Sequence, residues 1–139
     1  MRMFEIVVLG PDLFGVILIM DEELGVEVTN DSGTAVVVFK SASVSEVDMI
    51  TAASNQIKSF IDENKPDKII FDFENVKFFS SQVLGLLLDI RAKLQPNDGE
   101  VVISSINPQL HRVFKITNLD KVFRFFPDKQ SAIQAINIA

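Results

Sequence analysis

Beyond Gly25 the chain switches repeatedly between a strand-like and a helix-like hydrophobic period, and this alternation limits its fold more than any single motif. In GVEVTNDSGTAVVVFK, Val26 and Val28 alternate with polar residues and Ala35 to Phe39 form a β-branched run, so the two predict a hairpin about the turn chemistry of NDSG. From Ser45 to Ile61 the residues Val47, Ile50, Ala53, Ile57 and Phe60 recur every three or four positions, the spacing of an amphipathic helix, with Ser43 or Ser45 as its expected cap. NKPDK ends that helix. KIIFDF then reads as a buried strand, Val83 to Leu94 as a helix closed by QPNDG, and EVVISSI as the next strand. Asn107 and Pro108 form a cap and first-turn pair for a helix to about Ile116, with Asn118 as its stop. Val122 to Phe126 predicts a last strand and PDKQSAIQAI a last helix. Strands interleaved with helices need a largely parallel sheet with helices over it, and the hairpin makes this one mixed. The predicted class is α/β, a mixed β-sheet covered by about four helices.

The first 25 residues stand apart. FEIVVLGPDLFGVILIM is the most hydrophobic stretch, yet its unbroken run from Val16 to Met20 is far below the ~20 residues of a membrane span, and Pro11 and Asp12 interrupt the rest. No small-residue cleavage pattern follows a basic head. Residues 1–25 are expected to form an extension of one or two added strands turning at GPD, ahead of a domain over 26–139. A tail packed on a partner and a true start at Met20 are the alternative readings. The extension is also a candidate homodimer contact.

At 139 residues the chain suffices for one core, and with 47% hydrophobic and 23% charged residues it lies far from the disordered class. A net charge of −6 repels nucleic acid and anionic lipid unless a basic patch intervenes. The densest cationic group, Lys115, Lys121 and Arg124, has acids interspersed and reads as a solvated face, so no direct nucleic-acid partner is expected. No cysteine is present, which suits a reducing cytoplasm, and a single histidine argues against zinc. His111 is also the one imidazole for a hydrolytic triad, no G-x-S-x-G elbow surrounds a serine, and no phosphate loop occurs. Asp62 with Glu63, and Asp21 to Glu23, read as solvated termini rather than an acid–base pair. A binding protein without cofactor is expected rather than an enzyme.

The segment VKFFSSQVLGLLLDI places two hydroxyls where a strand ends and a helix begins. Stepping about 100° per residue, Val83, Leu86, Leu87, Ile90 and Leu94 share an arc of about 100°, as a core stripe should. Leu84, Leu88, Ser81 and Gly85 fall on the flank away from it. One reading makes the serines helix caps and packs the leucines on a neighbouring helix. The other makes a switchable docking surface: an open hydroxyl at a helix N-terminus, whose phosphorylation adds about −1.5 to −2 charge beside an apolar contact while the free N–H groups hold the phosphate locally.

The stretch DFENVKFFSSQVLG, Asp72 to Gly85, resembles the D-L-S-x-V-x-F-x-D-S-S-G-L-G segment of the STAS family, shared by anti-sigma factor antagonists and sulfate transporters. GEVVISSINPQLHRVFKITNLDKVFRFF resembles the family's next strand, helix and strand, so the similarity covers about residues 26 to 136. It implies a STAS-like fold. In the family the serine after the motif aspartate is phosphorylated by an anti-sigma factor that is also a kinase, and a PP2C-type phosphatase reverses it. The unmodified antagonist sequesters the anti-sigma factor and frees sigma. Matched at Leu84 and Gly85, the register puts Ser81 at the phosphoacceptor, Ser80 at the family's aspartate, Gln82 at its second serine and Val83 at its glycine, while Asp72 matches the aspartate ending the preceding strand. The lost aspartate makes Ser80 an alternative acceptor. The resemblance implies a cytoplasmic, partner-switching antagonist with Asp72, Leu84, Gly85 and Leu88 about its docking face. The alternative is a phosphorylation-independent STAS adaptor, such as a subunit of a lipid-transport ATPase.

Overall fold

A computed structural model describes residues 4–8, 16–20, 26–31 and 33–138. Thirteen strands and helices alternate along them: β1 Phe4–Val8, β2 Val16–Met20, β3 Val26–Asp31, β4 Thr34–Phe39, β5 Ser43–Val44, α1 Val47–Asn64, β6 Lys68–Asp72, β7 Phe78–Phe79, α2 Ser81–Leu94, β8 Glu100–Ser104, α3 Pro108–Ile116, β9 Arg124–Phe126 and α4 Lys129–Ile138. The main sheet has seven strands in the order β1-β2-β3-β4-β6-β8-β9. Pairing is antiparallel from β1 to β4 and parallel from β4 to β9, so the sheet is mixed. β5 and β7 form a separate two-stranded parallel ladder.

The strands β4, β6 and β8 are continuous apolar runs because both of their faces are covered. Successive side chains point to opposite faces. Val37, Ile69, Phe71, Val101 and Ile103 enter the large core that also holds the apolar faces of α1 and α2 with Leu110 and Phe114 of α3. Val36, Ile70 and Val102 enter a smaller core closed by Ala132 and Ile136 of α4.

Several boundaries differ from the sequence reading. Neither Ser43 nor Ser45 caps α1: Ser43 belongs to β5, and the cap position is Glu46, which makes no side-chain capping bond. Val122 lies outside β9, because Leu119–Lys121 form a 3-10 turn that delays the strand to Arg124. Asn30 and Asp31 extend β3, so the hairpin turns tightly at Gly33, whose φ of 86° suits glycine. Ser32, the GPD turn and Asp21 to Glu23 lie outside the described residues. Gly99 is obligatory, since a Cβ there would meet the Asp67 carbonyl at 2.8 Å.

Candidate functional site

The site is built where β6 leaves the sheet. The carboxyl of Asp72, the last residue of β6, accepts a hydrogen bond from Ser104 Oγ at 2.8 Å, and the Phe73 amide donates to the Ser104 carbonyl, which ties the ends of β6 and β8 together. A turn closed by the Val76 amide on the Phe73 carbonyl then brings the chain to Ala42, whose carbonyl accepts from Lys77 and Phe78. The next rung is Ser80, whose amide donates to the Val44 carbonyl at 3.0 Å. The short β5–β7 ladder thus fixes the angle at which α2 departs.

Alternation in this ladder separates two adjacent phenylalanines. Phe79 turns inward, its ring 5.8 Å from Phe73 and 6.0 Å from Phe114, both edge to face. Phe78 turns outward and is 55% exposed. The following serines also diverge. Ser80 holds the extended backbone of a cap, φ −89° and ψ 167°, but its Oγ is sealed from solvent and has no hydrogen-bond partner among the described residues. Ser81, the first residue of α2, is exposed.

Along α2 the exposed residues are Ser81, Gln82, Gly85, Leu88, Asp89 and Ala92, one stripe that begins at the hydroxyl. Gly85 is open, with nothing within 4 Å of where a Cβ would stand. Beside it runs a groove of about 320 Å³ between α1 and α2, lined by Thr51, Ser54 and Asn55 on one side and Gln82 and Gly85 on the other. The Lys58–Asp89 ion pair, 3.7 Å, spans the two helices. Leu88 is 36% exposed.

Leu84 and Asp72, two of the residues expected about a docking face, are buried. Leu84 is 8% exposed and belongs to the large core, because the buried arc of α2 takes in six residues and is wider than the stripe drawn from Val83. Asp72 is 2% exposed, so its carboxyl fastens β6 to β8 and is closed to a partner. Conversely, Phe78, Gln82 and Asp89 join the exposed face without having been singled out; strand alternation through KFFS, with Phe79 inward, is the signal that places Phe78 outward.

The other chemistry is dispersed. His111 is half-buried on α3 with its ring 4.4 Å from that of Phe125. Asp62 pairs with Lys93 at 2.8 Å. Arg124 forms two 2.7 Å bonds to Glu100, which hold its guanidinium above its ordinary pKa. Among the described residues no three His, Asp or Glu side chains converge as metal ligands, and no helix is long and apolar enough to cross a membrane.

Comparison with known proteins agrees with this architecture. The family model described as STAS domain matches residues 31–132. An anti-sigma F factor antagonist of Paenibacillus polymyxa is 22% identical over 83 residues, covering 60% of this chain and 71% of its own. A solved STAS domain protein from Planctomyces limnophilus, titled an anti-sigma-factor antagonist, superposes with a TM-score of 0.71 at 22% identity, covering 79% of this chain and 95% of its own. The antagonist SpoIIAA in its unphosphorylated form superposes with a TM-score of 0.69 at 16% identity, covering 98% of this chain and 97% of its own. SpoIIAA of Bacillus is solved in the phosphorylated form as well, with a TM-score of 0.62 at 18% identity and coverage of 96% and 98%. With its mixed sheet, its four helices and a family match over most of its length, the chain belongs to the STAS domain family.

Proposed function

We propose that this chain is an antagonist of an anti-sigma factor, that it holds its partner against the exposed stripe of α2, and that phosphorylation of Ser81 releases it. The observation that carries the reading is the contrast between neighbours: the Ser81 side chain is open at the head of the stripe, whereas the Ser80 oxygen is sealed. Ser81 is therefore the acceptor and Ser80 is not. A phosphate on Ser81 sits at a helix N-terminus, where free N–H groups and the dipole accommodate it without disturbing the fold. A partner covering Leu88 and Gly85 must desolvate that charge, and a loss of about 2.7 kcal/mol weakens binding about a hundredfold. Names of relatives support the class, since SpoIIAA is an anti-sigma factor antagonist solved with and without phosphate. The partners are an anti-sigma factor acting as serine kinase and a PP2C-type phosphatase, in the cytoplasm, with a homodimer contact in the amino-terminal extension.

One observation favours the phosphorylation-independent adaptor: the position of the family's motif aspartate is taken by the sealed Ser80, which leaves no carboxylate beside the acceptor. Recovery of the tagged chain from its own cells, with ATP incubation and mass mapping, separates the two. The antagonist reading expects phosphate on Ser81, none on a Ser81→Ala variant, and a kinase among the bound proteins. An unmodified chain recovered with a transport ATPase establishes the adaptor instead.

A further inference from the structure

The main sheet has two edges, and they are built differently. At one end β9 is three residues long and carries Arg124, whose guanidinium is held at the edge by Glu100 of the neighbouring strand. Short length and a fixed charge are devices that keep a sheet edge from pairing with another chain. At the other end β1 has five residues, FEIVV, with neither Lys nor Pro, and no strand follows it in the sheet order among the described residues. Among the described residues its backbone is paired on one side alone, by β2 from Phe4↔Met20 to Val8↔Val16.

We infer that β1 pairs antiparallel with β1 of a second copy of this chain, about a twofold axis at Ile6, joining two sheets into one. An edge meeting its own copy is self-complementary by symmetry, as an isologous interface must be. The twofold lies perpendicular to the sheet and keeps each face on its own side, so only registers differing by two residues per strand are allowed. Centred on Ile6, the pairing uses all five residues: Phe4 opposite Val8, Glu5 opposite Val7, Ile6 opposite itself. Each Glu5 then faces a valine. Centring on Glu5 would set two carboxylates directly opposite, and centring on Val7 would leave both Phe4 and Glu5 without a partner in the other β1. The strand's one charge thus excludes one neighbouring register and its length the other, which leaves the Ile6 register. β1 and β2 precede the residues matched by the family, so this contact is independent of the Ser81 reading and stands or falls apart from it.

A five-residue edge is a small contact, so a weak, concentration-dependent dimer is expected. Sedimentation of the full chain over a concentration series should show wild type passing to twice the 15.5 kDa of one chain. Val7→Lys should remain a dimer, since each lysine meets Glu5 of the other copy. Val7→Glu opposes like charges at both ends and should weaken the dimer about tenfold or more. Adding Glu5→Lys to Val7→Glu should restore it. Because all the variants place charge on the same strand, a general loss of folding would affect them alike, and circular dichroism monitors it. A wild type that stays monomeric, or a dimer with the same affinity in Val7→Lys and Val7→Glu, overturns the proposal.

Discussion

Gly85 and Gly99 show how differently two glycines are explained. A Cβ at position 99 would collide with the Asp67 carbonyl and with Leu94, so the fold itself requires that residue. Position 85 lies inside a helix with nothing near it, where glycine costs about 0.5–1 kcal/mol relative to alanine. The intact fold has no use for that cost, whereas the partner proposed to lie along α2 would have. Gly85→Ala should therefore raise the stability of the free chain by about 0.5–1 kcal/mol in urea denaturation, and a loss of stability would show that the helix needs the glycine. The hydroxyls around the site separate in the same way. Ser80 Oγ is sealed without a partner, so Ser80→Ala removes no hydrogen bond and should be neutral or stabilising by up to about 1 kcal/mol. Ser104 Oγ donates to the buried Asp72, so Ser104→Ala leaves a carboxyl oxygen unpaired and should cost about 1–3 kcal/mol in the same measurement.

Helix ends divide into those the sequence announces and those that distant pairing decides. Asn107 before Pro108 is legible because the signal is local: its Oδ1 accepts from the Leu110 amide at 2.9 Å, as a cap should. Its Nδ2 also donates to the Val76 carbonyl across 31 residues, a second task that no local pattern reveals. The start of α1 is not legible, because Ser43 is drawn into a ladder with Phe78, 35 residues away in sequence, and the chain stays extended through Val44. The same limit applies to the site. Periodicity puts Ser81, Gly85 and Leu88 on one flank of α2, but the sealing of Ser80 and Leu84 depends on what packs around that flank, and Asp72 is closed by a hydroxyl from another strand. At the last helix, Asp128 accepts a hydrogen bond from the Ser131 amide at 2.7 Å, which holds its carboxyl below the usual carboxylate range. A carboxyl depressed in the folded state contributes stability above its unfolded pKa and loses it as pH falls through the folded value. Thermal melts of wild type and Asp128→Ala should accordingly differ at neutral pH and converge in acid; a difference that persists at low pH would mean that the charged cap is not its source.

Over the whole molecule the sheet divides two cores of unequal size, and the candidate site and α4 stand on opposite faces of it. The larger core binds α1, α2 and the aromatic cluster of Phe39, Phe73, Phe79 and Phe114 into one unit. The smaller rests on Val36, Ile70, Val102, Ala132 and Ile136, with Val38, Phe126 and Ile133 at its margin. Regions holding less buried apolar surface open locally at lower free energy than the global transition. Hydrogen exchange should therefore find the α4 amides opening before those of α2 and β6. Ile136→Ala removes apolar atoms from the smaller core alone, so it should speed exchange in α4 and leave α2 nearly unchanged. Phosphorylation or glutamate at Ser81 adds charge on the far side of the sheet and should leave α4 unchanged too. On the proposed reading, this separation would let a surface on α2 gain and lose a phosphate without loosening the rest of the domain. Equal acceleration of α2 and α4 in Ile136→Ala would show instead that the two cores open as one, and a modification at Ser81 would then be felt throughout the fold.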